Sequence, residues 1–271
     1  MKIRILRLSL QVALVAAFAW LLWRHFDARV VLDGWRALSE RPATLLAMTA
    51  AYAAAFWLRA VAWRLYLPET FRPRVSLLYH GLIYSLLFNH VLPVKAGDVA
   101  RVGVLWRRGQ TPGALALRLA DKLPWPAVRR QAAYARAALR GARGATIAAL
   151  VLASWALEAG VVLGVAAAVA GPQAIAPLEA LWANAFTIAG GPAYVGPGGI
   201  GGYESAMSYA LARAGLAPDD ALAVALLSHG YKFAFSYAAG TLTMLLLPIR
   251  LPEWREWFAD ARRKETDPWT E

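Results

Sequence analysis

The 271-residue chain is rich in apolar residues and poor in charged ones, with 59% hydrophobic and 17% charged. Soluble domains are about 45–50% apolar and about 25% charged, so this composition favours a membrane protein and excludes a disordered chain. The absence of cysteine excludes disulfides and thiolate chemistry, and the long apolar runs exclude a soluble nucleic-acid-binding protein despite a net charge of +12.

Six apolar runs follow one another along the chain, and four of them are long enough to span a bilayer, which takes about 20 apolar residues. The four predicted spans are residues 6–23, 43–63, 146–170 and 221–249. The first is expected to be an uncleaved signal anchor, with a cleaved signal peptide as the alternative. Residues 24–41 mix acids and bases and are interpreted as a linker, and Arg59 is expected to snorkel to the membrane surface.

Basic residues set the predicted topology, because they concentrate on the cytoplasmic side of membrane proteins. Nine Arg or Lys residues against one acid lie within 107–143, so the basic segment 107–145 is expected in the cytoplasm. The N-terminal bases and the charged tail at 251–271 are assigned to the same side. We therefore expect a single membrane domain over residues 1–250, in a bacterial-type inner (plasma) membrane, with both termini cytoplasmic.

The two remaining runs are interrupted by polar or Gly/Pro segments and predict re-entrant hairpins. The first, about 75–107, lies between basic clusters that both belong to the cytoplasm, and the second, about 178–214, begins and ends outside. Each combines an apolar helix, a Pro/Gly break and an acidic residue near a new helix start. Opposed hairpins of this kind are typical of transporters with inverted repeats. The predicted fold is an all-α helical membrane bundle with four spans and two oppositely oriented hairpins.

The first break, LFNHVLPVKAGDVAR at 87–101, combines cations with a helix start. Asp98 is the expected N-cap, and the free N–H groups of that helix, with Lys95 and Arg101 nearby, suit a phosphate. Asn89 and His90 can hydrogen-bond an oxyanion. The alternative is that Asp98 caps the helix and pairs with Arg101 without any ligand.

The second break, GGPAYVGPGGIGGYES at 190–205, is rich in glycine and ends at a new helix. Glu204 near that helix start is predicted to bind a cation or a proton, or to pair with Lys95 or Arg101. The alternative is a carboxylate that only complements the helix dipole.

Two more pairs of charged or titratable residues stand out. His229 and Lys232 share one helix face in the last span, where Lys232 either serves a cavity or snorkels. Arg118 and Asp121 lie three apart and are predicted to form a local ion pair or to belong to the site.

The two breaks together resemble the lysylphosphatidylglycerol synthase transmembrane-domain family, also called flippase-like integral membrane proteins. The resemblance covers about 45–247. The family patterns are N-x-x-x-P-x-x-x-G-D/E-x-x-R and P-G-G-x-G-x-x-E, with an R-x-x-D element between them. The matching residues are Asn89, Pro93, Gly97, Asp98 and Arg101, then Arg118 and Asp121, then Pro197, Gly198, Gly199, Gly201 and Glu204.

The resemblance implies translocation of lipids such as phospholipids, aminoacylated lipids, polyprenyl-phosphate carriers or hopanoid-type lipids. With the cations at the breaks, we expect a lipid transporter (flippase) that moves an anionic phospholipid, polyprenyl-phosphate or related lipid through a polar midplane cavity. The alternatives are an integral-membrane lipid phosphatase or transferase that uses Asp98, Glu204 and His90, or a scaffold subunit for a lipid or glycolipid synthase. We expect an anionic lipid as partner, with a homo-oligomer or a lipid-synthase partner left open, and no nucleic acid, cofactor, metal or catalytic residue. The expected substrate-binding residues are Asn89, His90, Pro93, Lys95, Gly97, Asp98, Arg101, Arg118, Asp121, Pro197, Gly198, Gly199, Gly201, Glu204, His229 and Lys232.

Overall fold

The computed structural model describes residues 16, 18–67, 69, 72–91, 139–191, 194 and 197–247. Across these residues the regular structure is helical, as predicted for an all-α bundle. A 3₁₀ turn at Pro197–Gly199 lies in the second break, and residues 18–25 are also helical. The helices whose two ends are described are α1 (Ala28–Ser39), α2 (Pro42–Tyr66), α3 (Val75–Val91), α4 (Gly141–Val169), α5 (Pro177–Gly190), α6 (Gly202–Arg213) and α7 (Pro218–Leu246).

Two of these helices, α2 and α4, are long and apolar enough to cross a membrane. Their 25 and 29 residues correspond to about 38 and 44 Å at 1.5 Å per residue, against a hydrocarbon core of about 30 Å. Both coincide with predicted spans. Helix α7 also has 29 residues and covers most of the predicted last span. It begins with Pro218, Asp219 and Asp220, which suit a helix N-terminus through fixed φ and negative charge.

The second predicted break separates two short helices that pack on each other, α5 and α6. Helix α5 ends at Gly190 and α6 begins at Gly202, so the structure confirms both the break and the helix start near Glu204. Gly201 at the N-cap has φ +86°, a left-handed conformation that glycine adopts without steric cost. With 14 and 12 residues, α5 and α6 are about 21 and 18 Å long.

The bundle is organised around the contact between α2 and α4, which is the most extensive between any two described helices. Helix α3 packs on α2 and α7, while α5 packs on α4 and α6, and α6 packs on α7. Buried aromatic and aliphatic side chains such as Tyr52, Phe56 and Val162 fill the interior. Leu46, on the outer side of α2, is among several large apolar side chains that are exposed, as expected of a surface in contact with lipid.

Most of the segment interpreted as a linker, residues 24–41, forms the amphipathic helix α1 (Ala28–Ser39), which was not predicted from the sequence. Asp27 caps it by accepting a hydrogen bond from the Arg29 N–H at 2.7 Å. Gly34 allows α1 to approach α4 and α7 closely, since a Cβ there would lie 2.7 Å from Val169 and 2.9 Å from Leu227. The charged residues of α1 lie on its exposed face. Because acids and bases are both present there, the amphipathic pattern of this helix was not recognised in the sequence.

Several predicted features lie outside the described residues. They include most of the first break and its second limb, most of the first span, most of the basic segment and the charged tail. The site candidates in this group are Pro93, Lys95, Gly97, Asp98, Arg101, Arg118 and Asp121.

Candidate functional site

A buried ion cluster joins four helices of the bundle. Lys232 of α7 donates hydrogen bonds from Nζ to Glu158 Oε1 of α4 at 2.8 Å and to Asn184 Oδ1 of α5 at 3.2 Å. Arg59 of α2 donates from Nη2 to the other carboxylate oxygen, Glu158 Oε2. Lys232 and Glu158 are only 4% and 6% exposed, so their charges depend on one another rather than on water.

The ion cluster, defined as Arg59, Glu158, Asn184 and Lys232, contains two cations and one anion. Arg59 also donates from Nε to the Ser154 hydroxyl at 3.2 Å, and Asn184 donates from Nδ2 to a backbone carbonyl of α4 at 3.3 Å. These contacts satisfy polar atoms but add no negative charge. The cluster therefore carries one excess positive charge in the bundle interior.

A second buried pair lies at the start of α6. His229 of α7 places Nδ1 2.6 Å from Glu204 Oε1 and Nε2 3.1 Å from the backbone oxygen of Gly198 in the break. The other Glu204 oxygen, Oε2, accepts the Gly201 N–H at 2.7 Å. Glu204 thus caps its own helix and, at the same time, holds His229 against the break.

The ring of Tyr203 lies between the ion cluster and the Glu204–His229 pair. It stacks on the His229 imidazole with ring centroids 4.0 Å apart and an interplanar angle of 19°. Lys232 Nζ lies 5.1 Å from the centroid of the same ring, within range of a cation–π contact. One aromatic side chain therefore connects the two groups of charges.

The end of α3 reaches the same place. The His90 ring stacks on Phe233 of α7 at 4.2 Å and lies 6.2 Å from the His229 ring, measured between centroids. A Cβ at Gly198 would lie 2.8 Å from the His90 ring and in closer contact still with Phe233. The last turn of α3 and the second break are therefore in direct contact beside His229.

The family model described as "Lysylphosphatidylglycerol synthase TM region" matches residues 8–124 and 111–240. The chain belongs to this family. Together with the apolar helices α2 and α4, this membership identifies a helical membrane protein, which confirms the membrane assignment drawn from composition. No curated protein and no solved structure matches the chain.

In this family member, the end of α3, the second break, α6 and α7 bring five of the expected site residues together. These are His90, Gly198, Glu204, His229 and Lys232. Asn89 immediately precedes His90 near the end of α3, while Pro197, Gly199 and Gly201 belong to the break itself. The expected partners of Glu204, Lys95 and Arg101, lie outside the described residues. Within the described part of the chain, Glu204 contacts His229 and Gly201.

The expectation that Arg59 snorkels to the membrane surface is wrong, since its guanidinium pairs with Glu158 and Ser154 inside the bundle. Lys232 is likewise buried among partners rather than snorkelling. Sequence reasoning missed Glu158 and Asn184 as members of the cluster. The available signal was that Glu158 is the one acidic residue in the run 146–170. Asn184 similarly interrupts the apolar run 178–193 with an amide.

Proposed function

We propose that the protein is a lipid transporter that moves an anionic lipid across the bilayer, with the polar head group passing through the bundle interior and the tail remaining in the membrane. The observation that carries this proposal is the excess positive charge of the ion cluster, buried beside a broken helix pair. Ionisable residues are costly at membrane depth, and there they commonly mark substrate pathways. Membership of a lipid-synthase membrane-region family supports the same function.

We further propose that α5, the second break and α6 form a hairpin that enters and leaves the membrane on the same side. Neither helix reaches the length of about 30 Å that a span needs, and the two pack on each other. Residues 75–107 are proposed as the opposed hairpin, with α3 as its first limb. Irregular backbone at this depth is tolerated where protein or a watery cavity covers it.

The proposed path of the head group runs between the two breaks. Its phosphate is attracted by Lys232 and Arg59 from one side and by Lys95 and Arg101 from the first break. Both termini are proposed to lie in the cytoplasm of a bacterial-type cell. The remaining residues proposed to line the path are Asn89, His90, Pro93, Gly97, Asp98, Arg118, Asp121, Pro197, Gly198, Gly199, Gly201, Glu204 and His229.

The test is movement of fluorescent phosphatidylglycerol in liposomes that contain the purified protein, followed by chemical quenching of the outer leaflet. We expect movement above that of protein-free liposomes, and faster than that of phosphatidylcholine with the same label. Arg101→Ala is expected to slow it. Arg140→Ala, which removes an exposed arginine of the basic segment, is the matched control. Equal rates with and without protein would contradict the proposal.

The same preparation separates the two alternative functions. A lipid phosphatase or transferase would change the mass of the labelled lipid, which mass spectrometry of the extracted lipid detects. A scaffold subunit would instead co-purify with a stoichiometric partner and would move no lipid. We expect the recovered lipid to be chemically unchanged.

A further inference from the structure

The hydrogen bonds of His229 determine how many protons the Glu204–His229 pair holds. The backbone oxygen of Gly198 can only accept, so the contact with Nε2 at 3.1 Å requires a proton on Nε2. The contact between Nδ1 and Glu204 Oε1 at 2.6 Å requires a second proton, on either the imidazole or the carboxyl group. The pair therefore holds one proton more than a neutral imidazole beside an ionised carboxylate.

Loss of that proton breaks one of the two contacts. If the remaining proton stays on Nε2, the bare Nδ1 faces the carboxylate, and if it moves to Nδ1, the bare Nε2 faces the Gly198 carbonyl. Two acceptors at such distances repel each other. Since Gly198 belongs to the break, Glu204 to α6 and His229 to α7, the second proton allows His229 to bind the break and α6 at the same time.

The same proton changes the charge of the buried site. Arg59, Lys232 and Glu158 sum to +1, while the Glu204–His229 pair is neutral with the proton and −1 without it. Among the described residues the interior therefore carries +1 when the pair is protonated and 0 when it is not. The protonated state of the pair therefore favours binding of a negatively charged head group.

Other titratable or charged groups face the pair from the surrounding helices, and α5 contributes the neutral amide of Asn184. The charged side chains of α1 lie at the exposed surface. The titratable groups that face the pair are Tyr203 of α6, His90 of α3 and Tyr194 of the break. Lys232 of α7 contacts the ring of Tyr203. Arg59 of α2 and Glu158 of α4 pair with each other in the ion cluster, and Tyr52 of α2 has its ring centroid 5.8 Å from Lys232 Nζ.

We infer that the Glu204–His229 pair is a proton-binding site that is loaded together with the anionic head group, so that one proton accompanies each negative charge carried by the lipid. This inference rests on the proposed function. The transfer is balanced as written: the proton comes from water on one side, resides on the pair, and returns to water on the other side. The lipid keeps all its bonds.

The proton count can be measured directly on the wild-type protein in lipid nanodiscs. Nitrogen-15 NMR of histidine side chains, with infrared detection of carboxyl groups, reports where each proton lies. From the two contacts we expect either a doubly protonated His229 beside an ionised Glu204 or a His229 protonated on Nε2 beside a carboxylic acid. A singly protonated His229 beside an ionised Glu204 would overturn the inference, whether or not the protein moves lipid. The His229→Gln variant lacks this imidazole, so the nitrogen-15 signals that disappear in it are those of His229.

Coupling is measured in liposomes with a pH difference across the membrane and a trace of labelled phosphatidylglycerol. One proton per lipid charge predicts that one pH unit shifts the steady-state distribution of the label about tenfold toward the alkaline side. Glu204→Gln is expected to abolish this shift. Glu179→Gln is the matched control, because Glu179 caps α5 through the Ala176 N–H at the same 2.7 Å but is only partly buried.

The outcomes distinguish this inference from the proposed function. Movement of lipid by the wild-type protein with no response to the pH difference overturns the coupling and leaves transport standing. No movement under any gradient overturns both. An equal loss of the shift in Glu179→Gln and Glu204→Gln would mean that helix capping, rather than proton binding, is responsible, and would also overturn the coupling.

Discussion

Lys232 and Glu158 lie 74 positions apart in the chain, yet Lys232 Nζ donates a hydrogen bond to Glu158 Oε1 at 2.8 Å inside the bundle. Glu158 is the more important of the two for stability, because it is the shared partner of Lys232 and Arg59. Its loss leaves two cations uncompensated, whereas loss of Lys232 leaves one complete ion pair.

Glu158→Gln is therefore expected to destabilise the protein more than Lys232→Met. Removing one partner of a buried pair costs about 3–5 kcal/mol, and we expect that range for Glu158→Gln. Lys232→Met keeps the Arg59–Glu158 pair and is expected to cost about 1–3 kcal/mol. Thermal unfolding of both variants in one detergent measures the difference. A larger loss for Lys232→Met would contradict the shared-partner interpretation.

Asn184 offers a test of the excess positive charge. Its Oδ1 accepts from Lys232, so Asn184→Asp adds a negative charge beside that cation with little change of shape. We expect the initial rate of anionic lipid movement to fall about tenfold, as an energetic change of about 1.4 kcal/mol implies. Asn184→Ala removes the hydrogen bond without adding charge and serves as the control. Equal rates in the two variants would show that charge is not the controlling property.

Gly198 is expected to tolerate no side chain. Its φ of +65° costs an alanine about 1–2 kcal/mol, and the contact of a Cβ with Phe233 and His90 adds about 1–3 kcal/mol of overpacking. Gly141 has a nearly equal φ of +61° with no atom within 4 Å of the Cβ position. Gly141→Ala should therefore show the conformational cost alone. Thermal unfolding measures the stability of both variants. Similar losses of stability in the two variants would contradict the close contact of Gly198 with Phe233 and His90.

Arg143 at the start of α4 binds the end of α2. It donates from Nε to the Leu65 carbonyl at 2.7 Å and from Nη2 to the Leu67 carbonyl at 2.8 Å, where a helix end leaves carbonyls without partners. Arg143→Gln is expected to cost about 1–3 kcal/mol, since hydrogen bonds to a charged group are lost. Arg140→Gln, at an exposed position, should change stability by about 0.5 kcal/mol or less in the same unfolding measurement.

The sequence was sufficient to predict the elements that depend on composition along the chain. Apolar runs of sufficient length predicted α2 and α4, and the Gly/Pro cluster predicted the interruption before Glu204. The shared helix face of His229 and Lys232 follows from their spacing of three.

Contacts between helices could not be predicted from the apolar runs and residue spacings. The partnership of Arg59 with Glu158 depends on how α2 and α4 rotate against each other, which hydropathy does not encode. Helix α1 was missed for a related reason. Its buried face includes Gly34, which contributes a close approach rather than apolar bulk.

The pairing of Arg59 with Glu158 has a consequence for the order of events during biosynthesis. The two residues are separated by 99 positions, and Arg59 is made first. At synthesis rates of about 5–20 residues per second, helix α2 is completed roughly 5–20 s before its anionic partner exists. During that interval Arg59 of the nascent α2 lacks the carboxylate that it pairs with in the folded bundle, so its charge has to be accommodated by water, lipid head groups or another protein.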